Sequence, residues 1–162
     1  MRMNPRVMQY MPGVETEKDA VKSYSVRRIE LMMKEDGFSF AMVLPNASHE
    51  SMAETLAYGP VIGFIGITAP PEVFYILDAE FWGGGYATEA LKAFLHTYWN
   101  AFPEGLKEMD EWTRDFLETH IIVGNDGSEK VAAKCGFVHV ADRSTPSHGE
   151  EVEKKIFRLQ RP

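Results

Sequence analysis

Cysteine is almost missing from this chain: Cys135 is the only one, so no internal disulfide can form and a reducing compartment is expected. Long apolar runs are missing too, and none approaches the roughly 20 residues needed to cross a bilayer. The opening segment Met1-Arg2-Met3-Asn4-Pro5 lacks the apolar stretch of a secretory signal. Positive charge is scarce, with 17 Lys and Arg against 24 Asp and Glu, a formal net charge of −7. A nucleic-acid-binding surface needs a basic face, so that class of partner is excluded. His49 and His148 lie in polar segments without metal-ligand spacing, and no metal is expected. These shortages point to a cytoplasmic protein, with the nucleus among the compartments also open to it, and to neither a membrane nor a nucleic-acid partner.

What is present is an ordinary globular composition: 162 residues, 44% of them hydrophobic, which suits a single domain over residues 1–162. Thr16 reads as an N-cap, and Val21, Tyr24, Arg28, Leu31 and Met32 recur at helical spacing up to Gly37. Phe38, Phe40, Met42 and Leu44 alternate as in a half-buried strand. Residues 45–60 read as a loop. Val61–Ile67 is apolar on both faces and reads as a central strand, and Val73–Leu77 as a third. Ala87, Leu91, Phe94, Leu95 and Tyr98 form one helical stripe that stops before Pro103. Residues 103–117 read as a loop with a turn near Glu111–Phe116. Thr119–Val123 reads as a fourth strand, and Ser128 as the cap of a short helix ending at Cys135 and Gly136. Phe137–Ala141 and Val152–Leu159 read as the last strands, separated by a polar turn region over Asp142–Glu151. The order predicts an α/β (α+β) domain with mixed strand pairing.

The most informative stretch is Phe81-Trp82-Gly83-Gly84-Gly85-Tyr86-Ala87-Thr88-Glu89-Ala90, between the third strand and the striped helix. Glycines there leave bare backbone N–H groups at a helix N-terminus, a site suited to phosphate. A Walker A loop would need a lysine after its last glycine, and Tyr86 follows Gly85. A dinucleotide fingerprint would need a third glycine where Thr88 stands. A third reading is a loop that grips the pyrophosphate of coenzyme A.

The run Phe74-Tyr75-Ile76-Leu77-x3-Phe81-Trp82-Gly83-x-Gly85-Tyr86-Ala87-Thr88 resembles the acyl-CoA-binding motif of the GNAT superfamily of N-acetyltransferases. Trp82 stands where the superfamily has Gln or Arg, as in the branch of ribosomal-protein N-terminal acetyltransferases. Asn125-Asp126-Gly127-Ser128-x-x-Val131-x-x-Lys134-Cys135-Gly136-Phe137 resembles a second motif of that branch. Asn4–Met8 and Val61–Gly66 match its early regions. The resemblance implies a mixed, mostly antiparallel central sheet flanked by helices. It implies acetyl-CoA as cofactor, held by Trp82, Gly83, Gly84, Gly85, Tyr86, Ala87 and Thr88 at the phosphates. Its pantetheine arm would lie along Tyr75, Ile76 and Leu77, in a gap splayed open toward Thr119–Val123. Asn125 and Ser128 would sit near the cofactor thiol.

The implied reaction moves an acetyl group to a primary amine, a protein N-terminus or a small amine, by direct attack. An α-amine with a pKa of about 7.7–8.0 needs little help to be neutral, whereas a lysine near 10.4 needs more. Glu80 and His120 are the candidate bases, and Ser128 and Asn125 the candidate polar groups at the leaving sulfur. The tyrosine that other branches use as an acid is replaced by Ala132. The family's first strand is expected to be missing, because this sequence starts near the end of the helix that follows it. An open sheet edge there would suit a homodimer. The alternative function is a catalytically degenerate acyl-CoA-binding or dimerising module.

Overall fold

The computed structural model describes residues 4–10, 38–45, 59–106, 109–147 and 150–162. The helix expected to end at Gly37, and most of the loop expected over 45–60, lie outside them. A one-turn helix α1 (Pro5–Met8) is followed by strands β1 (Ser39–Val43), β2 (Val61–Ala69) and β3 (Glu72–Leu77). A 3-10 turn (Ala79–Phe81) and the glycines lead into α2 (Tyr86–Ala101). A second 3-10 turn (Glu111–Thr113), β4 (Phe116–Ile122), α3 (Asp126–Lys134), β5 (Val138–Ser147) and β6 (Glu150–Gln160) complete the order. No helix among the described residues is long and apolar enough to cross a membrane.

The six strands form one sheet in the order β1-β2-β3-β4-β6-β5, antiparallel at every step except β3–β4. That parallel step is short. Only Glu72 and Glu118 stand in register, with the Glu118 N–H donating to the Pro71 carbonyl at 2.9 Å. Beyond that pair the ladder stops and the two strands part. The mixed, mostly antiparallel sheet and the gap in it are those expected from the sequence.

α2 covers one face because its stripe demands it. Leu91, Phe94, Leu95 and Tyr98 are buried together with Val73, Leu77, Leu117 and Ile121 from the strands beneath. Each such side chain contributes about 1.5–3 kcal/mol, far above the few tenths of a pair on the helix surface. The opposite face carries a smaller cluster of Val7, Ile76 and Ala79 with Phe64 against it. Residue parity therefore assigns Tyr75 and Leu77 to the α2 side, and Ile76 to the other.

Three local readings are corrected. Asn125, not Ser128, caps α3: its Oδ1 accepts the Ser128 N–H at 3.2 Å, and Ser128 is the third helical residue. The fourth strand begins at Phe116, whose side chain is buried with Leu117, because Arg158 pairs Glu118 and lets an acid sit within a sheet. Asp142–Glu151 is not a turn region but largely paired strand, with Asp142 opposite Lys155, Arg143 opposite Lys154 and Ser144 opposite Glu153. Of these only Asp142 and Lys155 are opposite in charge, and Arg143 faces a like charge, so the backbone ladder and the Ser144 hydroxyl donating to Glu151 hold this polar ribbon without any hydrophobic alternation; Pro146 is tolerated because β5 is an edge strand.

α3 ends in a left-handed cap. Gly136 has φ 90°, the Phe137 N–H donates to the Ala132 carbonyl, and the Gly136 N–H to that of Ala133, both at 3.1 Å. Gly136→Ala is expected to cost about 1–2 kcal/mol, since a Cβ strains this conformation and would lie 3.3 Å from Leu159 Cδ1. Urea unfolding checks it, and an unchanged midpoint would refute the argument.

Candidate functional site

The glycines after β3 form a cradle for reasons internal to the loop. Gly83 and Gly85 have φ of 79° and 86°, in the left-handed region that favours glycine. A Cβ built at either meets no protein atom within 4 Å, so the space above the loop is open. Gly85 is the N-cap of α2 and offers no side-chain cap. The first-turn N–H groups at Tyr86, Ala87 and Thr88 thus stand uncapped at the positive end of a 16-residue helix. Gly84 differs, for a Cβ there would lie 2.8 Å from the Tyr86 ring. Trp82 is 40% exposed; its indole N–H donates to the Leu77 carbonyl at 2.9 Å, and the Arg6 guanidinium lies 5.7 Å from its ring centroid.

β3 supplies an extended edge beside this cradle. Asp78 N–H donates to Ile62 of β2, so the even-numbered positions of β3 turn their backbone groups toward β2. Tyr75 and Leu77 turn theirs toward β4, where the ladder has already ended. The Leu77 carbonyl is taken by Trp82, while the N–H groups of both residues face the gap.

Across the gap, the Tyr75 hydroxyl donates to the Ser128 carbonyl at 3.0 Å. Burial pushes the Tyr75 pKa up to about 12, although the hydrogen bond to Ser128 works the other way. The phenol therefore stays protonated, and donates, throughout the neutral range. This bond joins the two motifs through residues 53 apart in sequence. Asn125 is committed to the α3 cap, and Ser128 stands one turn inside it. At the other end of α3 the Cys135 thiol donates to the Thr88 carbonyl at 3.6 Å. Burial pushes that thiol's pKa up, opposed by Lys92, which suits a packing group and not a nucleophile. Ala132 is fully buried and offers no acid.

The two candidate bases fare differently. Glu80 is exposed on the 3-10 turn, where its backbone N–H donates to Asp78 Oδ1 at 3.4 Å. His120 is part of a network. Its Nε2 lies 3.2 Å from Glu118 Oε2, and its Nδ1 lies 3.5 Å from Glu72 Oε2. Glu118 Oε1 accepts from Arg158 Nε at 3.0 Å and Nη2 at 2.6 Å, and the guanidinium stacks 3.9 Å from the Phe116 ring centroid. Burial works to raise the Glu118 pKa, but the hydrogen bonds and charges of Arg158 and His120 outweigh it and lower it below the ordinary range. Sequence reasoning missed Glu72, Glu118 and Arg158. Glu118-x-His120 put two ionisable groups on one strand face, which was a usable signal; Glu72 and Arg158 join only through register. Among the described residues, no group of His, Cys, Asp and Glu is arranged to hold a metal ion.

A sheet split between two parallel strands, with a glycine cradle opening the helix after the first, defines an acetyltransferase type of α/β domain. The family described as the acetyltransferase (GNAT) domain matches residues 1–138, and the chain belongs to that family. Among curated proteins, none matches the chain. Solved structures show the same fold at low identity. A GNAT-family acetyltransferase from Bacillus anthracis is 19% identical with a TM-score of 0.65, covering 99% of this chain and 84% of its own. Spermidine N-acetyltransferase from Vibrio cholerae, in complex with CoA and spermine, is 16% identical with a TM-score of 0.66, over 99% and 85%. Ribosomal-protein-S5-alanine acetyltransferase from Vibrio fischeri is 18% identical with a TM-score of 0.65, over 99% and 83%.

Proposed function

We propose that this protein transfers an acetyl group from acetyl-CoA to a primary amine, a protein N-terminus or a small amine, by direct attack. The observation that carries the reading is the Tyr75–Ser128 bond, which sets both motifs on opposite sides of one open gap. The chain's own groups fit the cofactor. The uncapped first turn of α2 suits a pyrophosphate, and the unpaired edge at Tyr75 and Leu77 suits an amide-bearing arm laid down like an added strand. When bound, acetyl-CoA supplies the activated acetyl thioester.

The roles of the side chains follow from their positions. A backbone N–H of Tyr75 or Leu77 polarises the thioester carbonyl. His120 takes the proton of the attacking amine. The Ser128 hydroxyl, at the start of α3, donates to the leaving sulfur. Asn125 acts through the cap that fixes Ser128 in place. The neighbour proteins named for spermidine and for a ribosomal-protein alanine support an amine acceptor. The net charge of −7 favours a cationic one by steering. The test is to incubate the full chain with acetyl-CoA and a panel of peptides and small amines, following thiol release. Turnover with at least one amine is expected. Tight coenzyme A binding without turnover on any acceptor would leave the degenerate binding module instead.

A further inference from the structure

The network around His120 uses its two ring nitrogens unequally. Nε2 makes a hydrogen bond to Glu118 Oε2 at 3.2 Å, whereas Nδ1 and Glu72 Oε2, at 3.5 Å, form an ion pair only when the ring is charged. Glu118 is fixed from behind, because both donors of Arg158 converge on its other oxygen. A carboxylate held in that way accepts hydrogen bonds and cannot donate one. Glu72 accepts too, but at 3.5 Å it makes no hydrogen bond with Nδ1, so a neutral ring is better served with its proton on Nε2 and its lone pair on Nδ1. Side chains of Glu118, His120 and Ile122 share the sheet face opposite α2. Glu72 reaches that face from β3, and Arg158 and Lys154 from β6, flanking Ile156, which stands opposite His120. His120 also lies just past the last paired residues of β3 and β4, where the gap opens.

We propose that Glu118, clamped by Arg158, is a positioning residue that fixes His120 as its Nε2–H tautomer, so that Nδ1 is the catalytic base and Glu72 steadies the imidazolium it becomes. This rests on the acetyl-transfer reading above. In the step, one proton of the acceptor ammonium passes to Nδ1 and then to water beside the partly exposed Glu72. The freed amine nitrogen bonds to the acetyl carbon as the carbon–sulfur bond breaks and its electron pair leaves on sulfur. A second proton from nitrogen balances that sulfur, giving amide and free thiol.

Two readouts test the proposal, one without turnover. Nitrogen NMR of the histidine rings in the full chain should show neutral His120 as the Nε2–H tautomer, a bias that Glu118→Gln weakens. An Nδ1–H ring in the wild type overturns the proposal even if acetyl transfer is observed. With the best amine of the panel, Glu118→Gln should lower kcat roughly 10–100-fold, the scale of losing a carboxylate that orients a histidine. Its KM for acetyl-CoA should be unchanged. Glu72→Gln, at a more exposed carboxylate, should also lower kcat, with no change in melting temperature. In a His120→Gln background, Glu118→Gln should add nothing. Additive losses in the double variant would assign Glu118 a purely structural role. The expected NMR result in a protein that turns over no amine would leave the tautomer assignment standing and refute the function.

Discussion

Gly85→Asp should abolish useful binding of coenzyme A while leaving the protein folded. The residue has φ 86°, which aspartate tolerates better than most side chains, so the folding cost stays within about 1–2 kcal/mol. A Cβ at this position meets no protein atom within 4 Å, so the new side chain points into the space where a phosphate would lie. A carboxylate about 4 Å from a phosphate opposes it by roughly 4 kcal/mol at the effective dielectric of a protein surface. At 1.4 kcal/mol per decade, affinity should fall roughly 100–1,000-fold. Gly85→Asn is the control, with the same shape and conformational tolerance but no charge, and its loss should be smaller. Titration calorimetry with coenzyme A reads both. A Gly85→Asp protein that binds within threefold of the wild type would place the phosphates elsewhere.

His120→Gln should lower kcat about 10²- to 10⁴-fold, the usual contribution of a positioned base. The KM for acetyl-CoA should hold, because the ring lies on the face opposite α2 and touches neither the cradle nor the Tyr75–Ser128 bond. Glutamine can still donate an N–H to Glu118, so Arg158 keeps its partner and the sheet its packing. Steady-state kinetics with the best amine of the panel measures the split. The expected size depends on the acceptor: an α-amine already partly neutral near pH 7 should lose less than a lysine-like amine. A fall of less than threefold for both would return the role of base to Glu80 or to water.

Much of this was legible along the chain because its causes are local. The glycines of the cradle announce a positive-φ loop, the stripe from Ala87 to Tyr98 announces a helix with one buried face, and Gly136 announces where α3 stops. The polar ribbon of β5 and β6 was not legible. Its polar and charged residues are held by the backbone ladder and leave no apolar period to read. The α3 cap was misplaced by three residues because Asn125 and Ser128 are both good capping residues, and only the Asn125 Oδ1 to Ser128 N–H bond separates them.

By itself, the sequence determined the family, the order of the six strands with α2 and α3 between them, and the loop that offers its N–H groups at the start of α2. These depend on residue type and on spacing within a few turns. Tertiary structure alone decided where β3 and β4 part, that Tyr75 spans the gap to Ser128, and that Glu72, Glu118 and Arg158 gather around His120. Those facts depend on strand register, set by the packing of whole faces, and register brings together residues that no local pattern connects.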